Sequence, residues 1–246
     1  MGKRFILGFF AVIMTLLFVS SAFGATLQEI KERGVIKIAL DVTKPFCYEE
    51  DGQIKGLEVD MAHAIAEAIG VKAEISLPGW EAITKAWDPN YDWSDFDIAM
   101  GAITITEERL KNCDFSEWYF MSGQMVVVLK DSPIQAPEQL KGHKIAALKD
   151  SICEEVASQL SDQLVLVNSV DEGYEKVLNG EADAMVYDGG FLQYKVKEDP
   201  RFRLLDQKFT RERYGVAMPK DTPELKAVID EVVKKNRKKL FEKWFK

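Results

Sequence analysis

The sequence predicts an α/β protein of two lobes, each a mostly parallel sheet flanked by helices. Short β-prone apolar runs alternate with segments whose apolar residues recur at helical spacing, the pattern of strands joined by helical crossovers. That pattern begins again beyond Phe115 and Tyr119, giving two successive units of similar size rather than one continuous sheet. The 246 residues accommodate one large domain or two lobes, each of about 100 residues.

The chain opens on a targeting segment. Lys3 and Arg4 precede an apolar run over residues 5–19, and residues 20–25 supply the small side chains a signal peptidase reads, with Ala22 and Gly24 flanking Phe23. Cleavage is expected after Gly24, making residues 1–24 a signal peptide, because the run is shorter than the roughly 20 residues a spanning helix needs. Losing Lys3 and Arg4 takes the formal charge of the mature chain from -8 to -10. So acidic a surface argues against nucleic acid or an anionic membrane as partner. The one basic stretch, residues 234–246, reads as the polar face of a helix whose other side carries Val228, Val232, Leu240 and Trp244. Cys47, Cys113 and Cys153 are too few for a disulfide scaffold in an exported chain, and at most one internal bridge can form, Cys47 with Cys113 being one option.

Residues 35–40 form the first expected strand. After turns at Pro45 and Gly52, Val59, Ala62, Ile65, Ala66 and Ile69 recur at helical spacing and Gly70 stops the helix. A strand over 73–77, a short helix over 81–87, a polar and aromatic excursion over 88–95 read as an exposed loop, and a buried strand over 97–103 follow. The second unit has strands at 144–148, 164–167 and 184–187, with helices at 152–160 and 170–179. A strand at 214–218 and terminal helices over 223–245 return to complete the first lobe, so the chain crosses between lobes twice.

Open α/β sheets bind ligands beyond the carboxyl ends of their strands. The residues standing there are Asp41, Trp80 after Pro78 and Gly79, Thr104 with Arg109, Asp150 with Ser151, and Asp188. Thr106 is a suitable N-cap, so Arg109 falls in the first helical turn, where a cation is unfavourable unless an anion joins it and the free N–H groups. A carboxylate matches the guanidinium fork. The competing reading is a surface arginine paired with Glu107, Glu108 or a neighbour. Ser151 and Glu154 have capping-box spacing, which starts a helix at Ile152 and aims N–H groups at the strand-end crevice. Asp188 either caps the next helix or pairs with an ammonium; Trp80 is either core or an aromatic plate; Asp41 is either a solvated turn residue or a contact for a polar or cationic ligand. One cation, several helix N-termini, an aromatic and two or three carboxylates suit a zwitterion. Metal and phosphate motifs and the nucleophile elbow are missing, so neither cofactor nor metal is expected.

Those residues, together with Gly56-Leu57-Glu58-Val59-Asp60, Thr104-x-Thr106-x-x-Arg109, Asp114-Phe115-Ser116, Ala182-Asp183-Ala184 and Tyr214-Gly215, give the chain a resemblance to the periplasmic solute-binding proteins of family 3, the amino-acid carriers of ABC importers. The resemblance implies a type II, Venus-flytrap fold with two hinge strands near Tyr119 and Arg213, one lobe of residues 25–120 plus 213–246 and another of 121–212. It implies that Arg109 holds the α-carboxylate with the Thr104 and Ile152 N–H groups. Asp188, the Ala102 carbonyl and the Thr104 hydroxyl would hold the α-ammonium, Trp80 would cover the side-chain stem and Asp41 would face its tip. The implied partners are a free amino acid, polar or basic, and a membrane permease, with the protein a periplasmic monomer and not an enzyme. Two rival functions share the scaffold. A cyclohexadienyl or arogenate dehydratase would need a positioned acid, for which Asp41, Glu81 and Lys149 are candidates. A sensory module is normally fused to a membrane helix and a signalling domain, which this sequence does not show, and the sensing alternative that stays open is a free module acting through a partner receptor.

Overall fold

The computed structural model describes residues 24–245, so the expected signal segment before Gly24 lies outside the described residues. Helix α1 (Leu27–Arg33) leads into strand β1 (Val35–Ala39), a hairpin of β2 (Tyr48–Glu50) and β3 (Gln53–Lys55), helix α2 (Leu57–Ile69), β4 (Lys72–Ser76) and the short α3 (Trp80–Ile83). Then come β5 (Ile98–Ala99), β6 (Asp114–Phe115), β7 (Phe120–Ser122), β8 (Gln124–Leu129) and β9 (Lys144–Leu148). The second unit continues with α4 (Ile152–Leu160), β10 (Gln163–Val167), α5 (Val170–Leu178), β11 (Ala184–Asp188), α6 (Gly189–Glu198) and β12 (Phe202–Leu204), and the chain ends with β13 (Glu212–Tyr214), β14 (Ala217–Met218) and α7 (Pro223–Phe245).

Two five-stranded sheets carry the fold, in the orders β4-β1-β5-β14-β6 and β10-β9-β11-β8-β12. Each is parallel apart from a single reversed strand beside its outermost one, β14 in the first sheet and β8 in the second. The second sheet takes all its strands from between β7 and β13, which pair antiparallel, Tyr214 opposite Phe120. These are the two hinge strands. The architecture is thus a two-lobe α/β clamshell. Strands β8 and β11 are buried almost throughout, which is why they read as unbroken apolar runs rather than alternating ones.

Local signals set several boundaries. Thr26 and Glu29 close a capping box at the start of α1, and Gly70 at φ 84° supplies the left-handed residue that ends α2. Four expectations need correcting. The terminal helices are one helix, α7, because residues 224–245 contain neither glycine nor proline and the buried stripe Leu225, Ile229, Val232, Val233 and Leu240 is continuous against α2. The strand expected over 97–103 pairs within the first sheet only at β5, since Ala102 turns left-handed at φ 51° and the residues after it bond instead to residues 213–215 at the hinge. The strand expected over 214–218 divides at Gly215 into a hinge strand and a sheet strand. The excursion over 88–95 is not wholly exposed. Trp93 is buried and its ring meets Tyr91 and Phe96 at 5.7 and 5.6 Å, because three nearby aromatics gain more from one apolar cluster than from water. The three cysteines are free and buried, so the Cys47–Cys113 bridge is not formed.

Candidate functional site

The strand ends of the two sheets face each other across one cavity. From the first side come Trp80, Gly101, Ala102, Thr104 and Arg109; from the second come Leu148, Ser151, Ile152, Cys153, Tyr187 and Asp188, with Gln124 beside the hinge. Seven of the nine residues singled out in the sequence therefore share this wall. Exposed Asp150 does not, and neither does Asp41. It lies behind Gly101, where an added Cβ would come within 2.9 Å of the Asp41 Cβ, and burial lifts its carboxyl pKa to about 6. The walls stand close, leaving about 20 Å³ of free space, room for a water molecule and far below the roughly 300 Å³ of a small-molecule cleft. Trp80 Nε1 donates to the Lys149 carbonyl at 3.1 Å, joining the two sides directly.

Arg109 is only 7% exposed. It starts a single 3₁₀ turn, Arg109–Lys111, rather than an α-helix, and its own N–H donates to the Thr106 hydroxyl at 3.2 Å. The expected crown of free helix N–H groups is therefore not built there, since one turn is too short. The guanidinium donates to the Thr104 carbonyl at 2.9 Å and lies 4.2 Å over the Trp87 ring and 5.9 Å from that of Trp80. It forms no ion pair among the described residues, and Glu108 pairs with Lys111 instead, so the surface-arginine reading fails. Burial makes its charge costly and lowers its pKa.

Asp188 is the N-cap of α6, yet its side chain makes no capping bond. Its Oδ1 accepts from the Tyr214 hydroxyl and from Gln124 Nε2, the latter at 3.0 Å, and Oδ2 accepts no hydrogen bond among the described residues. Burial, then the nearby Glu212 charge, raises its pKa to about 8. Ser151 caps α4 by accepting from the Cys153 N–H at 3.1 Å, while Glu154 reaches Asp150 N at 2.8 Å, so the capping box closes one residue earlier than its spacing suggests. Glu58, fully buried, accepts from Ala102 N at 2.8 Å and from the Tyr119 hydroxyl, pinning the left-handed turn at Ala102; burial raises its pKa to about 7. Lys44 points away from the cavity, 3.1 Å from Glu198 on α6 and over the Tyr48 and Tyr194 rings.

Sequence reasoning overlooked Gln124, Trp87, Tyr187, Cys153 and Glu212. Gln124 and Glu212 carried a signal, each a polar residue on a buried strand, but such residues are usually satisfied structurally and nothing local says what they face. Among the described residues no group of His, Cys, Asp or Glu could hold a metal ion.

Two lobes on a two-strand hinge, closing a cavity lined by both a buried cation and a buried carboxylate, define a clamshell binding protein for a small dipolar ligand. Residues 36–246 match the family of bacterial extracellular solute-binding proteins, family 3, and the chain belongs to it. A glutamine-binding protein of Geobacillus stearothermophilus is 32% identical over 210 residues, which cover 82% of this chain and 79% of that one. Among solved structures, an ancestral amino acid-binding protein described as a precursor of cyclohexadienyl dehydratase is 34% identical, with a TM-score of 0.82 over 90% of this chain and 100% of its own. An amino acid ABC transporter substrate-binding protein of Streptococcus pneumoniae, bound to L-arginine, is 29% identical, with a TM-score of 0.81 over 89% of this chain and 97% of its own.

Proposed function

We propose that the protein captures a free polar or basic L-amino acid outside the cytoplasm, after export on a cleaved signal peptide, and delivers it as a monomer to a membrane ABC importer. One observation carries this reading: buried Arg109 faces the same cavity as buried Asp188, and among the described residues the guanidinium has no carboxylate partner and Asp188 Oδ2 no donor. Burying a zwitterion is costly unless each pole is paired. Arg109 takes the α-carboxylate, helped by the N–H groups of Thr104 and of Ile152 at the start of α4. Asp188, the Ala102 carbonyl and the Thr104 hydroxyl take the α-ammonium, and Trp80 covers the side-chain stem.

The lobes in this reading are residues 25–120 with 213–246, and residues 121–212. Because the free space is so small, a ligand enters only when they part at β7 and β13, and binding favours closure because the open form offers half the contacts. The basic preference is supported by the arginine held in one structural relative.

The test is a thermal-shift screen of the twenty L-amino acids on refolded, ligand-stripped mature protein. A binder at 100 times its Kd adds about 2.7 kcal/mol to stability. The largest shift is expected from a polar or basic amino acid; no shift at all, or the largest from an aliphatic one, overturns the reading. The dehydratase alternative is favoured by one feature, an Asp188 whose raised pKa keeps a proton available near neutrality. Release of an aromatic product from prephenate or arogenate would establish it in place of transport.

A further inference from the structure

We propose that Glu212, which does not reach the cavity, is the positioning residue of its ammonium pole: by holding Thr104 and Gln124 as acceptors it tunes the site to primary α-amines. The inference rests on the carrier function proposed above. Glu212 is buried on hinge strand β13, between the two lobes. Its Oε2 accepts from the Thr104 hydroxyl at 2.5 Å, and its Oε1 accepts from Gln124 Nε2 at 2.9 Å and from the Thr210 hydroxyl. A hydroxyl has one proton to give. Once Thr104 gives it to Glu212, only lone pairs remain on the cavity side.

The Gln124 amide is constrained in the same way. Its Nε2 serves both Glu212 Oε1 and Asp188 Oδ1, so nitrogen must face the carboxylates and Oε1 must face elsewhere. That Oε1 is buried and has no partner among the described residues, although Gln124 lines the cavity. A buried acceptor left unmet is unfavourable and calls for a donor. Tyr214 gives its hydroxyl proton to Asp188 Oδ1, which leaves Oδ2 as a third acceptor. With Asp188 ionised against the ammonium, the cavity wall offers Thr104 Oγ1, Gln124 Oε1 and Asp188 Oδ2 beside the Ala102 carbonyl, all acceptors, and a primary ammonium carries three N–H donors. An Nα-methyl ammonium carries two and adds a methyl group that an acceptor cannot satisfy. A site built to receive N–H groups rejects the analogue that lacks one more strongly than an apolar pocket rejects a methyl.

The test is calorimetric titration of the mature protein with L-arginine, L-glutamine and their Nα-methyl forms, in wild type and in Glu212→Gln. A carboxamide at 212 must turn an N–H₂ towards Thr104 or Gln124, reversing one of them. The wild type is expected to prefer the primary amine by at least roughly 100-fold, and Glu212→Gln to narrow that preference by roughly 10- to 100-fold, the weight of one hydrogen bond to a charged group. A residue that only braces the hinge would weaken both forms equally, so an unchanged ratio overturns the inference and leaves the carrier function standing. Gln124→Leu provides the same readout should Glu212→Gln not fold, with the same narrowing expected and an unchanged ratio again refuting. A wild type that binds none of the four ligands overturns the inference, and the proposed function falls with it only if no other polar or basic amino acid binds.

Discussion

Replacing Arg109 with methionine separates what this side chain does for a ligand from what it does for the fold. Among the described residues the guanidinium makes one hydrogen bond, to the Thr104 carbonyl at 2.9 Å, and stacks on Trp87 at 4.2 Å. The bond contributes about 1.5–3 kcal/mol and the stacking about 1–2 kcal/mol. Against these stands the cost of a desolvated charge without an ion-pair partner, several kcal/mol in a buried site. Methionine keeps apolar contact with Trp87, so the two sides nearly cancel and the melting temperature of Arg109→Met should stay within a few degrees of wild type. Binding has no such compensation. A ligand carboxylate buried without its cation loses about 2–5 kcal/mol, or roughly 30- to 4,000-fold in Kd. Calorimetry with the best ligand of the thermal-shift screen measures the Kd, and melting without ligand measures the fold. A variant whose Kd stays within threefold of wild type would refute the assignment of Arg109 to the carboxylate. One that melts far lower would show that the side chain mainly supports the fold.

Other outcomes are open to simple measurement. The Lys44–Glu198 contact at 3.1 Å bridges the turn after β1 and helix α6 on opposite lobes, and both side chains are about half exposed. Such a pair is worth at most about 1 kcal/mol, so Glu198→Gln should raise Kd no more than about fivefold, and the difference should vanish in 1 M salt, where screening acts within about 3 Å; an effect that survives high salt would mean the contact is not electrostatic. Burial raises the carboxyl pKa values of Asp188, Glu58 and Asp41 to about 8, 7 and 6. Each binds its proton more tightly folded than unfolded, so its contribution to stability is largest below the unfolded value near 4 and is lost as pH rises towards the folded value. The melting temperature of the empty protein should therefore carry a falling component between about pH 4 and 8, and removing it with Glu58→Gln should flatten the profile; an unchanged profile would show that Glu58 does not hold its proton. Over the same range ligand affinity should rise, since the ammonium prefers an ionised Asp188, and titrations at pH 6 and 8 would contradict this if affinity fell.

Much of the architecture was legible because parallel sheets bury their strands and amphipathic helices repeat every 3.6 residues. Strand β9 and helix α4 match the sequence expectation at both ends, and α2 and β11 lie within two residues of it. What escaped was shaped by pairing partners far along the chain. Strand β8 runs on from the hinge strand and has no turn signal to mark it as reversed, and β14 is defined by its pairing to β5 and β6, more than a hundred residues upstream. Arg109, Asp188 and Trp80 could be singled out because each breaks a local expectation, a cation in a first turn, an acid ending an apolar strand, an indole after a Pro-Gly turn.

The sequence by itself determined two α/β units with charged residues at their strand ends, because periodicity and turn chemistry are local properties that survive without coordinates, and its family resemblance implied the clamshell. Only the tertiary structure decided what those residues meet. Arg109 came to rest on Trp87 rather than beside Glu108, Lys44 turned to Glu198 and away from the cavity, and Asp41 was set behind Gly101. Glu212 and Gln124 entered the network around Asp188 from strands separated by 88 positions along the chain. Which donors face which acceptors depends on the closing of two lobes, and no pattern within a short stretch of chain encodes that meeting.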